Sequence, residues 1–335
     1  MAKVFRLLLF PFSFLYGLAV FFRNLLYDLN WLPSRCFPVP VICVGNLEMG
    51  GSGKTPMMDL LIEHFHKKNK IGCISRGYGR KSKGFVLADD KSDTVTLGDE
   101  PFQIFSKWRH HIMLAVDENR ARGIENLLTL HPGLNLILMD DGMQHRSVKP
   151  SIILMLSPFR NPFYKNFILP FGTLREFRSG CLRARFMIFT KCKEPDERKK
   201  EFTEKDLKKR GLPAEHVFLS EVLPAAPLNR NGDTLQPGAG VVAIAGLASN
   251  RDFFENVKSG FLVERCISKP DHYRYLPDFF EKEDLNGKVI ICPEKDFHKL
   301  VCLAPQPEKV FFVPIRNRIF PEEVFWQELE KSIEK

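Results

Sequence analysis

The chain has 335 residues, of which 44% are hydrophobic and 27% are charged, and its formal net charge is +9. This composition is that of an ordinary globular protein, and the length allows two domains with an ample core. The eight cysteines are scattered without a Cys-x-x-Cys pair, which argues against a zinc site or a disulfide framework and favours reduced thiols in a cytosolic protein. The positive charge favours an anionic partner, which could be a nucleotide, a nucleic acid or an acidic membrane surface.

An apolar segment occupies the N-terminus, where residues 7–22 carry no formal charge. As a helix this segment extends about 24 Å, which is short of the roughly 30 Å hydrocarbon core of a bilayer. Its aromatic residues and basic flanks favour a helix at the membrane interface. The alternatives are a helix buried against the domain, a full span, and a signal peptide without a recognisable cleavage site. We therefore predict an apolar, membrane-associated helix within residues 1–36.

The stretch from Val41 to Thr55 predicts a phosphate-binding loop, because a β-branched apolar run leads through glycines into Gly-Lys-Thr and a helix. Lys54 is expected to reach the β- and γ-phosphates of ATP, and the Thr55 hydroxyl is expected to ligate Mg²⁺. The loop departs from the usual spacing at Glu48, where a glycine is expected. The predicted nucleotide contacts are Gly50, Gly51, Ser52, Gly53, Lys54 and Thr55.

A second acidic motif follows an apolar strand that ends in Asp140 and Asp141. This pattern is typical of the Mg²⁺-coordinating motif of phosphate-loop enzymes. Carboxylates at the carboxyl edge of a parallel sheet lie beside a phosphate loop on a neighbouring strand, so we predict both aspartates as metal ligands with Thr55. The doublet and the following Gln144 and His145 exceed what Mg²⁺ binding alone requires.

Acidic and basic residues between these motifs allow more than one interpretation. Asp99 and Glu100 open a predicted helix, where they could complement its dipole or supply a general base. The basic, glycine-containing stretch around Tyr78 suits anion binding, although a solvated hairpin explains it equally well. The next predicted helix carries Arg120.

Arg175 lies in a segment rich in arginine that follows several prolines and phenylalanines. Arginine suits bidentate recognition of phosphate and stabilises charge in a phosphoryl-transfer transition state. The arginines of this segment, Arg175, Arg178, Arg183 and Arg185, therefore suit contact with phosphate.

The C-terminal third predicts a separate, smaller unit. Residues 223–240 are rich in turn-forming residues and are predicted to link two domains, a core of residues 37–222 and a second α/β domain of residues 241–335. The second domain begins with a strand, a glycine and a helix, but it lacks Gly-Lys-Thr and is not a second phosphate loop. Its last element is a predicted helix from Pro321.

Taken together, the motifs resemble those of the tetraacyldisaccharide 4′-kinase family, the lipid A 4′-kinases of Gram-negative bacteria. The matching segments occur in the family's order at residues 23–28, 45–56, 75–78, 98–101, 140–145 and 169–176. Met143 stands where phenylalanine is common in that family. The lysine-aspartate motif at residues 292–296 lacks the threonines with which it usually begins.

The resemblance implies a P-loop NTPase-like α/β fold that has a parallel sheet, an N-terminal membrane-associated helix and a second, smaller α/β domain. It implies ATP-dependent phosphorylation of the 4′-hydroxyl of an acylated glucosamine disaccharide 1-phosphate, which gives lipid IVA. The expected location is the cytoplasmic face of the inner membrane, against its lipid surface, with no nucleic-acid partner. In the family's pattern Asp99 falls on the catalytic base and His272 on its assistant. The further candidate site residues are Lys54, Tyr78, Glu100, Arg120, Asp140, Asp141, Gln144, His145 and Arg175.

Two other classes of function remain open from the residues alone. A membrane-associated partitioning ATPase also carries Gly-Gly-x-Gly-Lys-Thr, but that class has a lysine where this chain has Met49. Nucleic-acid binding would fit the basic charge, but no recognition helix, zinc finger or aromatic-basic motif supports it. Stimulation of ATP turnover by acylated disaccharide, rather than by a protein or DNA, distinguishes the kinase from both.

Overall fold

A computed structural model describes residues 9–247, 249–271 and 273–334. The described chain forms two compact units. The first contains the described residues up to Val222 and those from Asn317 onwards, and the second contains those of Leu223–Arg316. The strands are, in chain order, β1 (Val41–Asn46), β2 (Ile71–Ser75), β3 (Val86–Leu87), β4 (Ile112–Val116), β5 (Leu136–Asp140), β6 (Ile152–Pro158), β7 (Phe186–Thr190), β8 (Val217–Pro224), β9 (Gly240–Ala245), β10 (Leu262–Ser268), β11 (Ile290–Pro293), β12 (Val310–Val313) and β13 (Ile315–Phe320).

Helices cover the sheets and connect the strands. The α-helices are α1 (Phe10–Asp28), α2 (Lys54–Phe65), α3 (Thr94–Leu97), α4 (Asp99–Trp108), α5 (Arg120–Leu130), α6 (Glu197–Lys209), α7 (Arg251–Gly260), α8 (Phe279–Lys282), α9 (Glu294–Leu300) and α10 (Glu322–Ile333).

The large sheet of the first unit has nine strands in the order β13-β8-β7-β6-β1-β5-β2-β4-β3. Strand β1 is buried along its whole length and pairs in parallel with β5 and β6. Its continuous apolar run is typical of a central parallel strand that is covered on both faces. Because Val44 lies opposite Asp140 in the register, the end of β5 lies beside the start of the phosphate loop. The predicted parallel α/β core is confirmed.

Helix α1 packs on the first unit along one narrow face and exposes its other faces. Ser13 and Gly17 are buried, and Ser13 Oγ accepts a hydrogen bond of 2.8 Å from the backbone N–H of Phe171. Only 11% of the most apolar 18-residue stretch of this helix is buried. Among the described helices, α1 is the one long and apolar enough to cross a membrane. The predicted apolar stretch began at Leu7, and residues 7 and 8 lie outside the described chain.

The C-terminal helix lies in the first unit, so the prediction that residues 241–335 form one domain is wrong. Strand β13 pairs beyond β8 at the edge of the large sheet, and α10 follows it. Phe325 and Leu329 of α10 are fully buried, and Phe325 contacts Phe186 and Phe218 with ring centroids 5.9 and 5.2 Å apart. The apolar face of α10 thus completes the core of the first unit.

The second unit is built on a four-stranded parallel sheet in the order β10-β9-β11-β12. The predicted linker of residues 223–240 belongs to this unit rather than lying between domains. Leu228 pairs with Phe312 of β12 through two backbone hydrogen bonds of 2.9 and 2.8 Å, and Asn229 is buried. Turn-forming composition indicated irregular backbone correctly, but these contacts pack the segment onto the sheet.

Candidate active site

The loop between β1 and α2 turns at two glycines with positive φ angles. Gly50 has φ 113° and Gly53 has φ 87°, a region that L side chains rarely adopt. Gly53 precedes α2 and contributes no side-chain cap, so the first N–H groups of α2 remain available to an anion. The predicted residues Gly50, Gly51, Ser52, Gly53, Lys54 and Thr55 thus form the strand-to-helix turn at the carboxyl edge of the large sheet.

Lys54, Asp141 and Arg175 meet beside this loop. The guanidinium of Arg175 donates to both carboxylate oxygens of Asp141, at 2.8 and 3.0 Å, and Lys54 Nζ lies 3.7 Å from Asp141 Oδ1. Arg175 also donates to the backbone carbonyl of Asn46 at 3.0 Å, and Lys54 donates to the Asn46 side chain at 3.4 Å. Although burial would raise its pKa, Arg175 and Lys54 lower the pKa of Asp141 to about 2. Asp141 is therefore ionised, and both cations face the loop.

Asp140 is buried at the end of β5, and its pKa is shifted in the opposite direction from that of Asp141. Burial, followed by the charges of Glu100 and Asp141, raises the pKa of Asp140 to about 7. Ser75 donates a hydrogen bond of 3.1 Å to Asp140 Oδ2, whereas Oδ1 has no hydrogen-bond partner within the described part of the chain. A buried carboxylate with one open oxygen can accept a cation or a proton.

Asp99 and Glu100 form the first turn of α4, and both are half-buried. Gly98, just before them, has φ 91°, and a Cβ at this position would lie 2.7 Å from the carbonyl oxygen of Tyr78. Glycine therefore allows the helix start to approach the Tyr78 loop closely. Glu100 is near enough to influence Asp140 electrostatically. Asp99 thus directly precedes the residue whose charge acts on Asp140.

Arg120 is fully buried and His145 is half-buried, and both lie near the acidic doublet. Arg120 donates to the carbonyl of Asp117 at 2.5 Å, while its Nη2 has no hydrogen-bond partner among the described residues. Burial lowers the pKa of Arg120 to about 10, which the charges of Asp140 and Asp141 oppose. Burial, with the charges of Arg120 and Arg76, lowers the pKa of His145 to about 4. His145 is therefore neutral at neutral pH.

Gln144 joins the loop to a buried acid. Its side-chain amide donates to the backbone carbonyl of Asn46 and to Glu176, each at 2.9 Å. Glu176 is 1% exposed, and Arg183 donates to both of its carboxylate oxygens at 2.8 Å. Asn24 of α1 donates to the same carboxylate at 2.9 Å. Gln144 thus supports the end of β1 and connects it to α1.

A cleft of about 270 Å³ lies between α1 and the carboxyl edge of the sheet. Tyr16 of α1 donates a hydrogen bond of 2.9 Å to the backbone carbonyl of Arg175 at this cleft. Tyr78, by contrast, exposes 70% of its side chain. The lining residues include Tyr16, Arg23, Arg76, Asp141, His145 and Arg175. The cleft therefore combines the ion pair at the loop with further basic groups.

Sequence reasoning missed two residues at the end of β7 that reach the phosphate loop. Thr190 Oγ1 donates a hydrogen bond of 2.8 Å to the Ser52 carbonyl. The Lys191 ammonium lies 3.7 Å from the position that a Cβ on Gly51 would occupy. Both residues lie at the carboxyl end of a parallel strand, as Asp140 does, and that position was the available signal. Asn46, the partner of Lys54 and Arg175, was missed as well.

His272, the predicted assistant of Asp99, lies outside the described residues. In the second unit, the preceding residue Asp271 contacts the lysine-aspartate motif of residues 292–296. Lys295 forms an ion pair of 2.7 Å with Asp271, and buried Asp296 accepts a hydrogen bond of 2.7 Å from the backbone N–H of Gly246. The motif therefore fixes the residue before His272 without the usual threonines.

The predicted metal ligands Thr55, Asp140 and Asp141 remain a prediction. Within the described ranges, no three His, Cys, Asp or Glu side chains form a preassembled metal cluster. Mg²⁺ needs no such cluster, because it keeps waters and uses one or two carboxylates with substrate phosphates. Asp140, with an open buried oxygen, fits this kind of site.

Comparison with known proteins yields a consistent set of relatives. The family model LpxK, described as tetraacyldisaccharide-1-P 4′-kinase, matches residues 5–334. A tetraacyldisaccharide 4′-kinase of Flavobacterium psychrophilum is 38% identical over 93% of this chain and 92% of its own length. The protein of that name from Cytophaga hutchinsonii is 36% identical, covering 98% and 95% of the two chains.

A solved structure is also similar over nearly the whole chain. It is the crystal structure of the apo form of LpxK from Aquifex aeolicus in complex with ATP, which is 29% identical with a TM-score of 0.81. The match covers 98% of this chain and 99% of the other. Sequence and fold therefore lead to the same family.

Proposed function

The chain belongs to the tetraacyldisaccharide 4′-kinase family, and we propose that its phosphate-loop site transfers the γ-phosphate of ATP to the 4′-hydroxyl of an acylated glucosamine disaccharide 1-phosphate. The product is lipid IVA, an intermediate in lipid A biosynthesis. The observation that carries the proposal is the meeting of Lys54, Asp141 and Arg175 beside the loop. These contacts gather two cations where a phosphoryl group would be transferred.

Each part of the loop site has a role in holding ATP. The N–H groups at the start of α2 and the glycine turn bind the phosphate oxygens. Lys54 and Arg175 stabilise the charge that spreads over the transferring group. Asp141 holds Arg175 at two points and keeps its guanidinium oriented.

Thr55 and Asp140 would hold Mg²⁺, with Asp141 contributing negative charge nearby. When bound, Mg²⁺ would neutralise phosphate charge and orient the oxygens of ATP. The open Oδ1 of Asp140 supports this assignment, because a buried carboxylate oxygen needs a partner. Arg120 supports it as well, since its charge favours the ionised form of Asp140. Gln144 and His145 hold the surroundings of the doublet.

Asp99 takes the proton of the 4′-hydroxyl, and His272 assists it. A general base must lie within hydrogen-bond reach of the proton that it removes. The half-buried position of Asp99 at the start of α4, beside Glu100, supports this role. Tyr78, whose loop contacts the same helix start, is a candidate contact for the nucleotide or the sugar.

Helix α1 brings the site to the lipid surface at the cytoplasmic face of the inner membrane. Phe12, Phe14 and Phe22 are each more than half exposed, although the large apolar side chains of soluble proteins are usually buried. The same helix lines the cleft beside Arg175. An acylated sugar can therefore stay in the membrane while its 4′-hydroxyl reaches the loop.

The decisive experiment follows phosphate from radiolabelled ATP into an acylated disaccharide 1-phosphate in detergent micelles. We expect wild-type enzyme to add one phosphoryl group, and we expect Asp99→Ala to lose nearly all turnover. Near-normal turnover by Asp99→Ala would reject Asp99 as the base. ATP turnover that responds to a protein partner or DNA, and not to the disaccharide, would reject the kinase function.

A further inference from the structure

Glu48 is a buried carboxylate in the phosphate loop that the proposed transfer does not use. It occupies the position where the common loop pattern has glycine, and its side chain is 6% exposed. A carboxylate so close to bound phosphates would repel them if it faced the ligand. The carboxylate instead accepts hydrogen bonds from Ser157 and Asn166.

The backbone around Glu48 is paired with the segment that carries Arg175. Glu48 lies opposite Leu174 in an antiparallel bridge. The Met49 N–H donates to the Thr173 carbonyl at 2.8 Å, and the Arg175 N–H donates to the Leu47 carbonyl at 2.7 Å. Residues 47–49 and 173–175 therefore form a short ladder, which joins the backbone of Arg175 to the start of the loop.

The Glu48 carboxyl group accepts side-chain hydrogen bonds that stabilise this ladder. Asn166 Nδ2 donates to Oε1, Ser157 Oγ lies 3.5 Å from Oε2, and Thr173 contributes a further side-chain hydrogen bond. Burial raises the pKa of Glu48, while these three donors act to lower it. Ser157 belongs to β6, so the carboxyl group joins the rigid sheet to the irregular segment before Arg175.

The remaining contacts lead from Glu48 to the ion pair. Its backbone carbonyl accepts a hydrogen bond of 2.7 Å from Asn46 Nδ2. The other atoms of Asn46 that face the site, Oδ1 and the backbone carbonyl, accept from Arg175. Arg175 then holds Asp141 at two points. Glu48 thus contacts both the segment that precedes Arg175 in the chain and Asn46, which accepts hydrogen bonds from the Arg175 side chain.

We propose that Glu48 is a positioning residue, which holds Arg175 in register with the phosphate loop through Asn46 and the ladder to residues 173–175. The proposal rests on the function proposed for Arg175 in phosphoryl transfer. Glu48 itself touches no substrate. Its effect on the rate therefore passes through the guanidinium of Arg175.

The test compares Glu48→Leu, Glu48→Gln and a matched control in steady-state kinetics and thermal unfolding. Leucine keeps the bulk but removes both acceptor oxygens, whereas glutamine keeps one acceptor for Asn166. We expect Glu48→Leu to lower kcat about 10- to 100-fold, because misplacing a catalytic group by about 1 Å can cost 10²-fold. We expect its KM for ATP to change less than kcat does. Glu48→Gln should recover most of the lost kcat.

Asp59→Leu is the control, because Asp59 is also a buried carboxylate with two donors, Lys107 Nζ at 2.9 Å and Trp108 Nε1 at 2.8 Å. It lies on α2 and is bonded to the last turn of α4 and not to the Arg175 segment. We expect it to lower the unfolding temperature and leave kcat close to wild type. If both leucine variants lose stability but retain kcat, Glu48 is only structural and the proposal is overturned.

A double-mutant cycle with Arg175→Ala separates positioning from a direct effect. When Arg175 is absent, Glu48→Leu should reduce kcat by less than about threefold, since little remains to be positioned. An equal loss in both backgrounds would overturn the proposal while leaving the function of Arg175 intact. Normal kcat in Arg175→Ala alone would instead reject the proposed function of Arg175, and the inference with it.

Discussion

Arg175 and Asp141 are joined by two parallel hydrogen bonds of 2.8 and 3.0 Å, although Arg175 lies on an irregular segment and Asp141 follows a core strand. A bidentate pair of this kind fixes the plane of the guanidinium as well as its position. Nη2 of Arg175 also donates to the backbone carbonyl of Asn46, the last residue of β1 before the phosphate loop. The pair therefore holds one cation beside the phosphate loop.

Arg175→Lys should reduce kcat although it conserves the charge. A lysine ammonium is a compact point charge and cannot replace the planar, two-point contact with Asp141. We expect a loss on the order of 10²-fold in kcat, similar to the removal of one transition-state donor, with a smaller change in the KM for ATP. Steady-state kinetics with varied ATP provide the measurement. A kcat within a few-fold of wild type would mean that charge alone is sufficient at this position.

The pKa values of Asp140 and Asp141 are shifted in opposite directions. The raised pKa of Asp140 predicts that the stability of the folded state depends on pH. Burial raises the pKa of Asp140 to about 7, whereas an unfolded aspartate titrates near 3.9. The folded state is therefore favoured below about pH 4, and that stability is lost as the pH rises towards about 7. Above this range the loss is constant, because both states are ionised.

Asp140→Asn should remove this loss of stability. We expect the variant to unfold with a free energy similar to that of wild type near pH 4, and with a larger one at pH 8, by roughly a few kcal/mol. Activity should fall sharply at the same time, because the amide cannot hold Mg²⁺ as a carboxylate does. Denaturant unfolding without nucleotide or metal, at several pH values, tests the first statement. Parallel stability curves for the two proteins would contradict the raised pKa.

The core of this site could be predicted from sequence because it depends on local patterns and one rule of topology. The strand, glycines and helix from Val41 to Phe65 are adjacent in the chain, and their order alone predicts the loop. Asp140 lies far away in sequence but ends a parallel strand, and such strands end at a common edge. No pattern of this kind places Arg175, which follows irregular backbone; the family resemblance supplied its expected role.

The errors have a common physical origin in long-range packing. Nothing local in the predicted helix from Pro321 shows which sheet its apolar face covers, and the structure places it in the first unit. Residues 223–240 contain the turn-forming residues of a linker, yet a pairing with β12 packs them onto the second unit. Glu48 departs from the usual loop pattern in the sequence, but its burial depends on Asn166, more than one hundred residues away. Such contacts are decided by tertiary structure and not by local propensity.

Thr190 provides a test of the missed contact at β7. Thr190→Val keeps the shape of the side chain but removes the donor to the Ser52 carbonyl, which is 2.8 Å away in a buried position. Leaving a buried acceptor without its partner costs about 1–3 kcal/mol, so we expect a less ordered loop and a several-fold higher KM for ATP. Nucleotide titration and steady-state kinetics measure the effect.

Thr203→Val is a suitable control for this change. Thr203 is also buried, and its hydroxyl donates to the Lys199 carbonyl within α6 at 2.8 Å. We expect this variant to lose some thermal stability and to bind ATP like wild type. Equal effects of the two substitutions on ATP binding would show that Thr190 has no specific connection with the loop.

The exposed phenylalanines of α1 predict that this helix binds to membranes. Phe12 and Phe14 are 63% and 64% exposed, and burying such a side chain in an apolar phase is worth about 1.5–3 kcal/mol. We expect Phe12→Ser combined with Phe14→Ser to weaken binding to vesicles that contain anionic lipid by at least about tenfold, since two such contributions are lost. Flotation of protein with the vesicles measures this binding. Phe202→Ser is the matched control, because Phe202 is 65% exposed but lies on the highly charged α6. If Phe202→Ser weakens flotation as much as the α1 variant does, the membrane surface of the protein is not α1.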